Sequence, residues 1–151
     1  MTASVELPPK LSELVDDFSE VSVKDRLQLL LELSQELPAL PERYAGNRDT
    51  MEQVHECQTP LFLAVEVDPD RTVHLFFDAP PEAPTTRGFA SIMYTGLDGE
   101  STDTVLGVPN DFYLALGLGE AVSPLRLRGM AAMLARIKNR VRSATDLARF
   151  A

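Results

Sequence analysis

The chain has 151 residues, of which 44% are apolar, 23 are acidic and 14 are basic, with one cysteine and no tryptophan. A chain of this length can bury a core of its own, and a single cysteine excludes an internal disulfide. The apolar runs are far shorter than the roughly 20 residues that span a bilayer, and the first residues lack the pattern of a secretory signal. We therefore expect one soluble domain over residues 1–151, cytoplasmic and not bound to a membrane.

Charge is unevenly distributed along the chain. Residues 1–120 carry a net charge of −15, whereas residues 121–151 carry +6. A net-negative body disfavours binding to nucleic acid, which requires a basic face. We interpret the basic residues near the C-terminus as the solvated face of a helix that complements the acidic remainder. They are Arg126, Arg128, Arg136, Lys138, Arg140, Arg142 and Arg149.

Two helices are predicted near the N-terminus. Apolar residues recur with helical spacing over residues 11–18, directly after two prolines. Ser22 is expected to cap a second helix, with Asp25 completing a capping box. Pro38 ends this helix, because proline lacks the amide proton and clashes with the preceding turn. The residues of this helix predicted to face the core are Leu27, Leu30, Leu31 and Leu37.

An antiparallel hairpin follows. Two runs rich in apolar and β-branched residues, 61–67 and 71–77, flank an Asp-Pro-Asp turn at 68–70. Pro60 cannot donate to a sheet ladder, so residues 57–60 are expected to form an edge, a bulge or a loop leading into the first strand. Cys57 is therefore predicted to lie near the rim of the sheet or on a loop.

The second half of the chain is predicted to be helical. A helix ends near Gly96, Ser101 or Thr102 caps a short turn, and Pro109 begins a helix that runs to about Leu116. The last helix is capped by Ser123 and has the apolar stripe Met130, Met133, Leu134, Ile137 and Val141. Helices, then a hairpin, then helices predict an α+β fold in which five or six helices pack on a small antiparallel sheet.

Cys57 is the one thiol of the chain, and two interpretations of it are open. Cysteine is among the most buried residue types, which favours a structural role. A segment interrupted by proline, between a polar loop and a strand, favours an accessible nucleophile instead.

His55 is a candidate partner for this thiol. If the segment is extended, His55 and Cys57 point to the same side, where the imidazole could accept the thiol proton. A solvated histidine is the alternative, and the neighbouring Glu52 and Glu56 oppose formation of the thiolate by charge repulsion.

Metal and cofactor sites have no support in the sequence. One cysteine and two histidines, His55 and His74, provide no spacing typical of metal ligands and no complete catalytic triad. Motifs that bind dinucleotides, nucleotide phosphates or catalytic zinc are missing. We therefore expect no metal and no cofactor.

Four segments, taken in order, carry a resemblance to a known family. A Leu-rich helix ends in Leu-Pro-Ala-Leu-Pro at 37–41, Cys-Gln at 57–58 precedes an apolar run, and Arg-Gly-Phe-Ala occupies 87–90. The last segment, 117–133, contains Ser-Pro-Leu-Arg and then Gly-Met. In order and spacing these segments resemble the SufE family, sulfur-acceptor proteins that work with cysteine desulfurases in iron–sulfur cluster assembly.

The resemblance implies a SufE/IscU-like fold and a carrier role. Cys57 would accept persulfide sulfur from a SufS-like desulfurase, stimulate that enzyme, and pass the sulfur to a SufBCD-like scaffold complex. The protein would then be a carrier and an activator rather than an enzyme, and we expect a monomer. A single thiol suits a carrier and argues against an IscU-type scaffold, which needs several thiolates to hold a cluster.

Two further residues take candidate roles from the resemblance. Arg126 falls on an arginine of the family motif and is expected to contact the partner or the Cys57 loop; a solvent-facing charge is the alternative. Asp78 falls near an acidic residue beside the family's cysteine and could restrain that loop; capping of a turn is the alternative.

Three positions depart from the family pattern. Glu56 stands where glycine is usual, Phe62 where tryptophan is common, and Arg128 near a common asparagine. Glycine allows backbone angles that glutamate adopts only with strain, so we expect the resting conformation of the Cys57 loop to differ here.

Two rival functions remain open at this point. The first is a regulatory binding module of a desulfurase that keeps the fold without carrying sulfur, which Glu56 favours. The second is a thiol enzyme that uses Cys57 and His55 and needs no protein partner.

Overall fold

The computed structural model describes residues 7–57 and 59–150, with side chains through residue 145. Gln58 and the side chain of Arg149, both named above, lie outside this description. The elements in chain order are α1 (Pro9–Ser19), α2 (Val23–Ser34), β1 (Glu52–Gln53), β2 (Phe62–Val67), β3 (Val73–Asp78), α3 (Pro84–Leu97), α4 (Thr102–Leu106) and α5 (Pro124–Phe150). Short 3-10 helices lie at Arg48–Thr50, Phe112–Leu116 and Leu118–Glu120. Within the described residues these elements form an α+β fold, which confirms the predicted fold class.

The N-terminal helices begin where they were predicted. Proline occupies the first position of α1, where its missing amide proton costs no helical hydrogen bond. The Ser22 hydroxyl accepts a hydrogen bond from the Asp25 amide at 3.2 Å and caps α2. The predicted core face of α2 is partly wrong, since Leu27 is 38% exposed and Leu31 is only half-buried. The buried residues of α2 are instead Leu30, Leu33 and Ser34.

The sheet contains the predicted hairpin and one strand more. β2 pairs antiparallel with β3, from Phe62 opposite Asp78 to Val67 opposite Val73. The two-residue strand β1 pairs with the other edge of β2, giving the order β1-β2-β3. Alternation along the hairpin places one row of apolar side chains towards the core. That row is Leu63, Val65, Val67, Val73, Leu75 and Phe77.

The outer face of the hairpin is covered by the loop before β1. Arg43 makes a bidentate ion pair with Glu66, with both N–O distances at 2.9 Å. Tyr44 donates to the same carboxylate at 2.7 Å and packs against Phe76. This loop therefore shields the face of the sheet that does not meet the core.

Helix α3 lies at the centre of the molecule and packs against α1, α2, β3 and α5. Its buried residues occur all around the helix, as expected for an element enclosed on several sides. Gly88 allows the close approach of α2, since a β-carbon at this position would lie 2.7 Å from the carbonyl oxygen of Leu30.

The C-terminal part of the chain corrects two predictions. No helix begins at Pro109; within the described residues a 3-10 helix starts at Phe112 and stops at Gly117, whose φ of +67° ends the turn. Lys138 is not on the solvated face of α5, because it is buried and donates hydrogen bonds to the Val108 carbonyl and, at 2.8 Å, to the side-chain oxygen of Asn110.

The apolar stripe of α5 is buried as predicted. All five stripe residues are inaccessible to solvent: Met130, Met133, Leu134, Ile137 and Val141. Among the described helices, none combines the length and apolar character needed to cross a membrane.

Candidate functional site

Cys57 lies in the loop that connects β1 to β2. We call residues 54–57 and 59–61 the Cys57 loop. The Val54 amide donates to the Leu61 carbonyl at 2.9 Å, which closes the base of the loop, and the Cys57 amide donates to the Val54 carbonyl at 3.2 Å. The prediction of a loop leading into a strand is confirmed for residues 57, 59 and 60.

The Cys57 thiol rests against α5 at Gly129. A β-carbon built on Gly129 would lie 3.0 Å from Cys57 Sγ and 3.5 Å from its Cα. The absence of a side chain at Gly129 allows this contact, and a β-carbon there would require the thiol or its loop to shift slightly. Cys57 is consequently half-buried rather than displayed on the surface.

An ion-pair network ties the Cys57 loop to α5. Arg136 Nη1 lies 2.6 Å from Glu52 Oε2, and Arg136 Nη2 lies 2.7 Å from Glu56 Oε1. Arg140 Nε makes a second contact with Glu52, at 2.7 Å. We call these four residues the latch. They connect β1 and the Cys57 loop to α5, although the paired residues lie 80 to 88 positions apart in sequence.

The arginines of the latch lower the pKa values of both carboxylates. Burial opposes ionisation of Glu52, but hydrogen bonds from Arg140 and Arg136 outweigh it and lower the pKa of this group. The hydrogen bond from Arg136 likewise lowers the pKa of Glu56. Both groups are therefore ionised at neutral pH and remain paired with the arginines.

The thiol itself is held in its neutral form. The pKa of Cys57 is raised to about 11: burial is the largest cause, the negative charge of Glu56 adds to it, and the positive charge of Arg136 partly opposes both. At pH 7 only about 0.01% of the closed form is thiolate, the form that acts as a nucleophile. The repulsion by Glu56 predicted from the sequence is thus present, although burial contributes more.

The other sequence-predicted site residues lie in three places: the Cys57 loop, α5 and β3. His55 is exposed in a turn, so the extended geometry that would align it with Cys57 is not adopted. Arg126 is exposed on the first turn of α5, three positions before Gly129 and therefore on the same side of the helix. Asp78 ends β3 and pairs with Arg48 at 2.9 Å.

Among the described residues, no hydrogen bond joins the Cys57 side chain to His55, Arg126 or Asp78. The roles of these three residues remain predictions. Glu56 does not adopt the positive φ that favours glycine, since Arg71 is the one non-glycine residue in the described chain with a positive φ.

Sequence reasoning missed the contributions of Gly129, Arg136 and Arg140. Gly129 was visible as a glycine inside a helix, where it costs about 1 kcal/mol relative to alanine and so suggests a packing role. Arg136 and Arg140 are four positions apart and therefore on one helix face. Their carboxylate partners could not be identified from the sequence, because Glu52 lies on β1 and Glu56 in the Cys57 loop, both far from α5 in the chain.

The described residues contain no cluster of three or more His, Cys, Asp or Glu side chains that could hold a metal. The site consists of the Cys57 thiol, Gly129, which contacts it, and the latch. Such an arrangement can shelter one cysteine and release it by movement of a single loop.

Comparison with known proteins places this geometry in context. A sequence model described as "SufE: Fe-S metabolism associated domain" matches residues 12–141. An uncharacterised SufE-like protein of Mycobacterium tuberculosis is 57% identical over 144 residues, which cover 95% of this chain and 99% of that protein.

Two further proteins extend the comparison. SufE-like protein 1, chloroplastic/mitochondrial, of Arabidopsis thaliana is 29% identical over 130 residues, 85% of this chain and 34% of that protein. The solution structure of a hypothetical protein from Thermus thermophilus superposes with a TM-score of 0.82 at 41% identity, over 93% of this chain and 99% of that one.

Proposed function

Because this chain belongs to the SufE family, we propose that Cys57 accepts persulfide sulfur from a SufS-type cysteine desulfurase and stimulates that enzyme. Family membership implies a role in iron–sulfur metabolism and sulfur transfer. In the proposal, the sulfur then passes to a SufBCD-like scaffold complex for cluster assembly. The protein acts as a monomeric carrier in the cytoplasm and is an activator rather than an enzyme.

The proposed transfer is a displacement at sulfur. The Cys57 thiolate attacks the outer sulfur of the desulfurase persulfide, and a new S–S bond forms at Cys57. The S–S bond of the donor breaks, and its electron pair leaves with the desulfurase thiolate. The transferred atom keeps its oxidation level, so the step needs neither an oxidant nor a reductant.

The placement of the single thiol supports this proposal most directly. The described residues of the Cys57 loop are held to the body of the protein by the closing hydrogen bonds, the buried side chains of Val54 and Leu61, the latch and the Thr59–Thr86 contact. A loop of this kind can deliver the thiol to a partner's active site. A lone thiol also keeps its persulfide, since no second cysteine is present to form an internal disulfide.

Intact-mass spectrometry tests the proposal. The protein is incubated with a cysteine desulfurase and free cysteine, without reductant, alongside a Cys57→Ser variant. We expect a gain of about 32 Da per sulfur atom in the wild type and none in the variant. A Cys57→Ser protein that still carried sulfur would contradict the assignment of the acceptor.

Desulfurase activity, measured in the same incubations, distinguishes the regulatory alternative. Stimulation of the desulfurase by both proteins, with Cys57 of the wild type remaining a free thiol, would identify a binding module that does not carry sulfur. A thiol enzyme would instead consume a small substrate without any desulfurase, and His55→Ala would slow it.

A further inference from the structure

The Cys57 loop is held closed mainly from the side of α5. Glu56 immediately precedes the thiol, and its carboxylate accepts hydrogen bonds from two nitrogens of Arg136, at 2.7 and 3.1 Å. Because Glu56 and Cys57 are adjacent, holding the Glu56 carboxylate restrains the backbone that carries the thiol. The contact of the thiol with Gly129 is made on the same helix, two turns before Arg136.

Arg136 is the central residue of the latch. Its side chain is 23% exposed and bridges Glu52, which is 21% exposed, and Glu56. A guanidinium can hold two carboxylates at once because its donors form a rigid planar fork. Arg140 makes its own contact with Glu52 and supports the base of the latch.

Between its buried ends, Val54 and Leu61, the described part of the loop has few other attachments. The Cys57 amide makes one hydrogen bond, to the Val54 carbonyl, within the same loop. Beyond Cys57, the Thr59 hydroxyl is 2.9 Å from the Thr86 hydroxyl of α3. In the described part of the loop, the latch is therefore the one charged connection between the thiol side and the body of the protein.

We propose that Arg136 is a positioning residue that latches the Cys57 loop against α5 through Glu52 and Glu56, so that the thiol reacts only when this latch opens. The inference rests on the proposed function for its biological purpose, but its physical content concerns the thiol alone. In the closed state Cys57 is half-buried against α5 and its thiol is neutral, and release of the two carboxylates exposes it further to solvent and to a partner.

Alkylation of Cys57 by iodoacetamide tests the latch in the free protein. Arg136→Met preserves most of the side-chain length and removes both ion pairs. We expect alkylation to be about fivefold to tenfold faster than in the wild type, because the open form becomes more populated. A rate equal to or lower than that of the wild type would overturn the proposal.

The direction of this change is diagnostic. The charge of Arg136 favours the thiolate, so a purely electrostatic role predicts slower alkylation after its removal. Faster alkylation therefore requires that the loop has opened. Arg136→Lys keeps a positive charge near the loop but lacks the planar fork, so we expect an intermediate rate.

Arg43→Met is the matched control. Arg43 makes a bidentate ion pair of the same kind with Glu66, on the outer face of the sheet. Its loss removes one arginine and one pair without touching the Cys57 loop, so alkylation should keep the wild-type rate. An equal acceleration in this variant would show a general loosening of the fold and would overturn the proposal.

Glu56→Gln and salt provide independent readouts should Arg136→Met fold poorly. Glu56→Gln removes the latch from the other side. Because this substitution also removes a charge that raises the pKa of Cys57, the salt dependence of its alkylation, rather than the absolute rate, is the readout. Added KCl should accelerate alkylation of the wild type, because screening weakens partly exposed ion pairs, and should have little effect on Glu56→Gln. Iodoacetamide is neutral, so salt does not alter its attraction to the protein. Identical salt responses in the two proteins would contradict the latch.

These tests need no desulfurase, which separates the two proposals. Faster alkylation in the latch variants, together with no mass gain in the sulfur-transfer experiment, would leave the latch standing and remove the carrier function. A mass gain at Cys57 with no effect of the latch variants on alkylation would do the reverse.

Discussion

The contact between Cys57 and Gly129 shows how one missing side chain shapes the site. The sulfur lies where a β-carbon of any other residue would come within 3.0 Å of it. This separation is tighter than ordinary van der Waals contact, so a larger residue must push the thiol or its loop aside. Position 129 thus sets how deeply Cys57 is covered.

Substitution of Gly129 should separate thiol reactivity from stability. Gly129→Ala favours the helix by up to about 1 kcal/mol, while its β-carbon crowds Cys57. We expect faster alkylation of Cys57 without a loss of global stability, and a larger acceleration for Gly129→Val. Alkylation kinetics and urea unfolding of the same variants check this, and slower alkylation in Gly129→Ala would contradict it. Gly119→Ala is the control, since nothing lies within 4 Å of a β-carbon there.

The pH dependence of Cys57 follows from its burial. Burial raises the pKa of this thiol from an ordinary value of 9.0 to about 11. We expect the alkylation rate of the folded protein to rise about tenfold per pH unit from pH 7 to 10, and that of the urea-unfolded chain to level off above about pH 9. A plateau at the same pH in both states would show that the thiol is not sheltered.

The raised pKa of Cys57 also determines how the free energy of unfolding changes with pH. Because the folded-state pKa is raised, the preference of the fold for the neutral thiol is fully present below pH 9. It is lost as the pH rises through about 11.

At the scale of elements, the packing of α2 on α3 depends on a close approach at Gly88. A β-carbon at Gly88 would lie 2.6 Å from a methyl carbon of Leu30 and 2.7 Å from its carbonyl oxygen. The side chain of Leu30 could rotate away, but the backbone oxygen cannot move without shifting α2. These two helices therefore meet at a distance that only glycine permits.

Gly88→Ala should force α2 and α3 apart. We expect a loss of about 1 to 3 kcal/mol in the free energy of unfolding, since the strain of overpacking exceeds the gain in helix propensity. Gly119→Ala, at an open position, should change stability by less than about 0.5 kcal/mol. Urea denaturation of both variants measures the difference. Equal stabilities would mean that α2 shifts at little cost.

At the scale of the whole molecule, the uneven charge distribution of the sequence leads to ion pairs between distant parts of the chain. Arg136 and Arg140 of the basic C-terminal helix pair with carboxylates of the acidic part of the chain. The predicted complementarity is thereby confirmed for this face of α5. Arg126 and Arg128 are exposed at the start of the same helix, and contact of Arg126 with a partner or with the Cys57 loop stays a prediction.

Stability should fall in acid because of these pairs. Hydrogen bonds from arginine lower the pKa values of Glu52, Glu56 and Glu66. The stability they confer is present above the ordinary value of 4.5 and is lost as the pH falls through the lowered values. We expect a nearly constant melting temperature from about pH 7 to 5 and a decline below about pH 4, with a shallower decline in Glu52→Gln. A flat profile down to about pH 3 would contradict the contribution of these pairs.

The sequence by itself determined the local elements of this protein. Apolar spacing, the Ser22 cap and the prolines located α1 and the start of α2, and the alternating runs located the hairpin with its loop at Cys57. These features depend on interactions between near neighbours in the chain, which a pattern records directly.

Only the tertiary structure decided how these elements meet. The strand β1 has two residues and no pattern of its own, and it exists because β2 offers a free edge. The buried face of α2 is set by where α3 docks, not by the spacing of its leucines alone. The cover of the thiol joins Cys57 to Gly129, and the latch joins Glu56 to Arg136 across 80 positions. Such contacts arise from the docking of α5 on the sheet, and sequence periodicity carries no information about distances between separate elements.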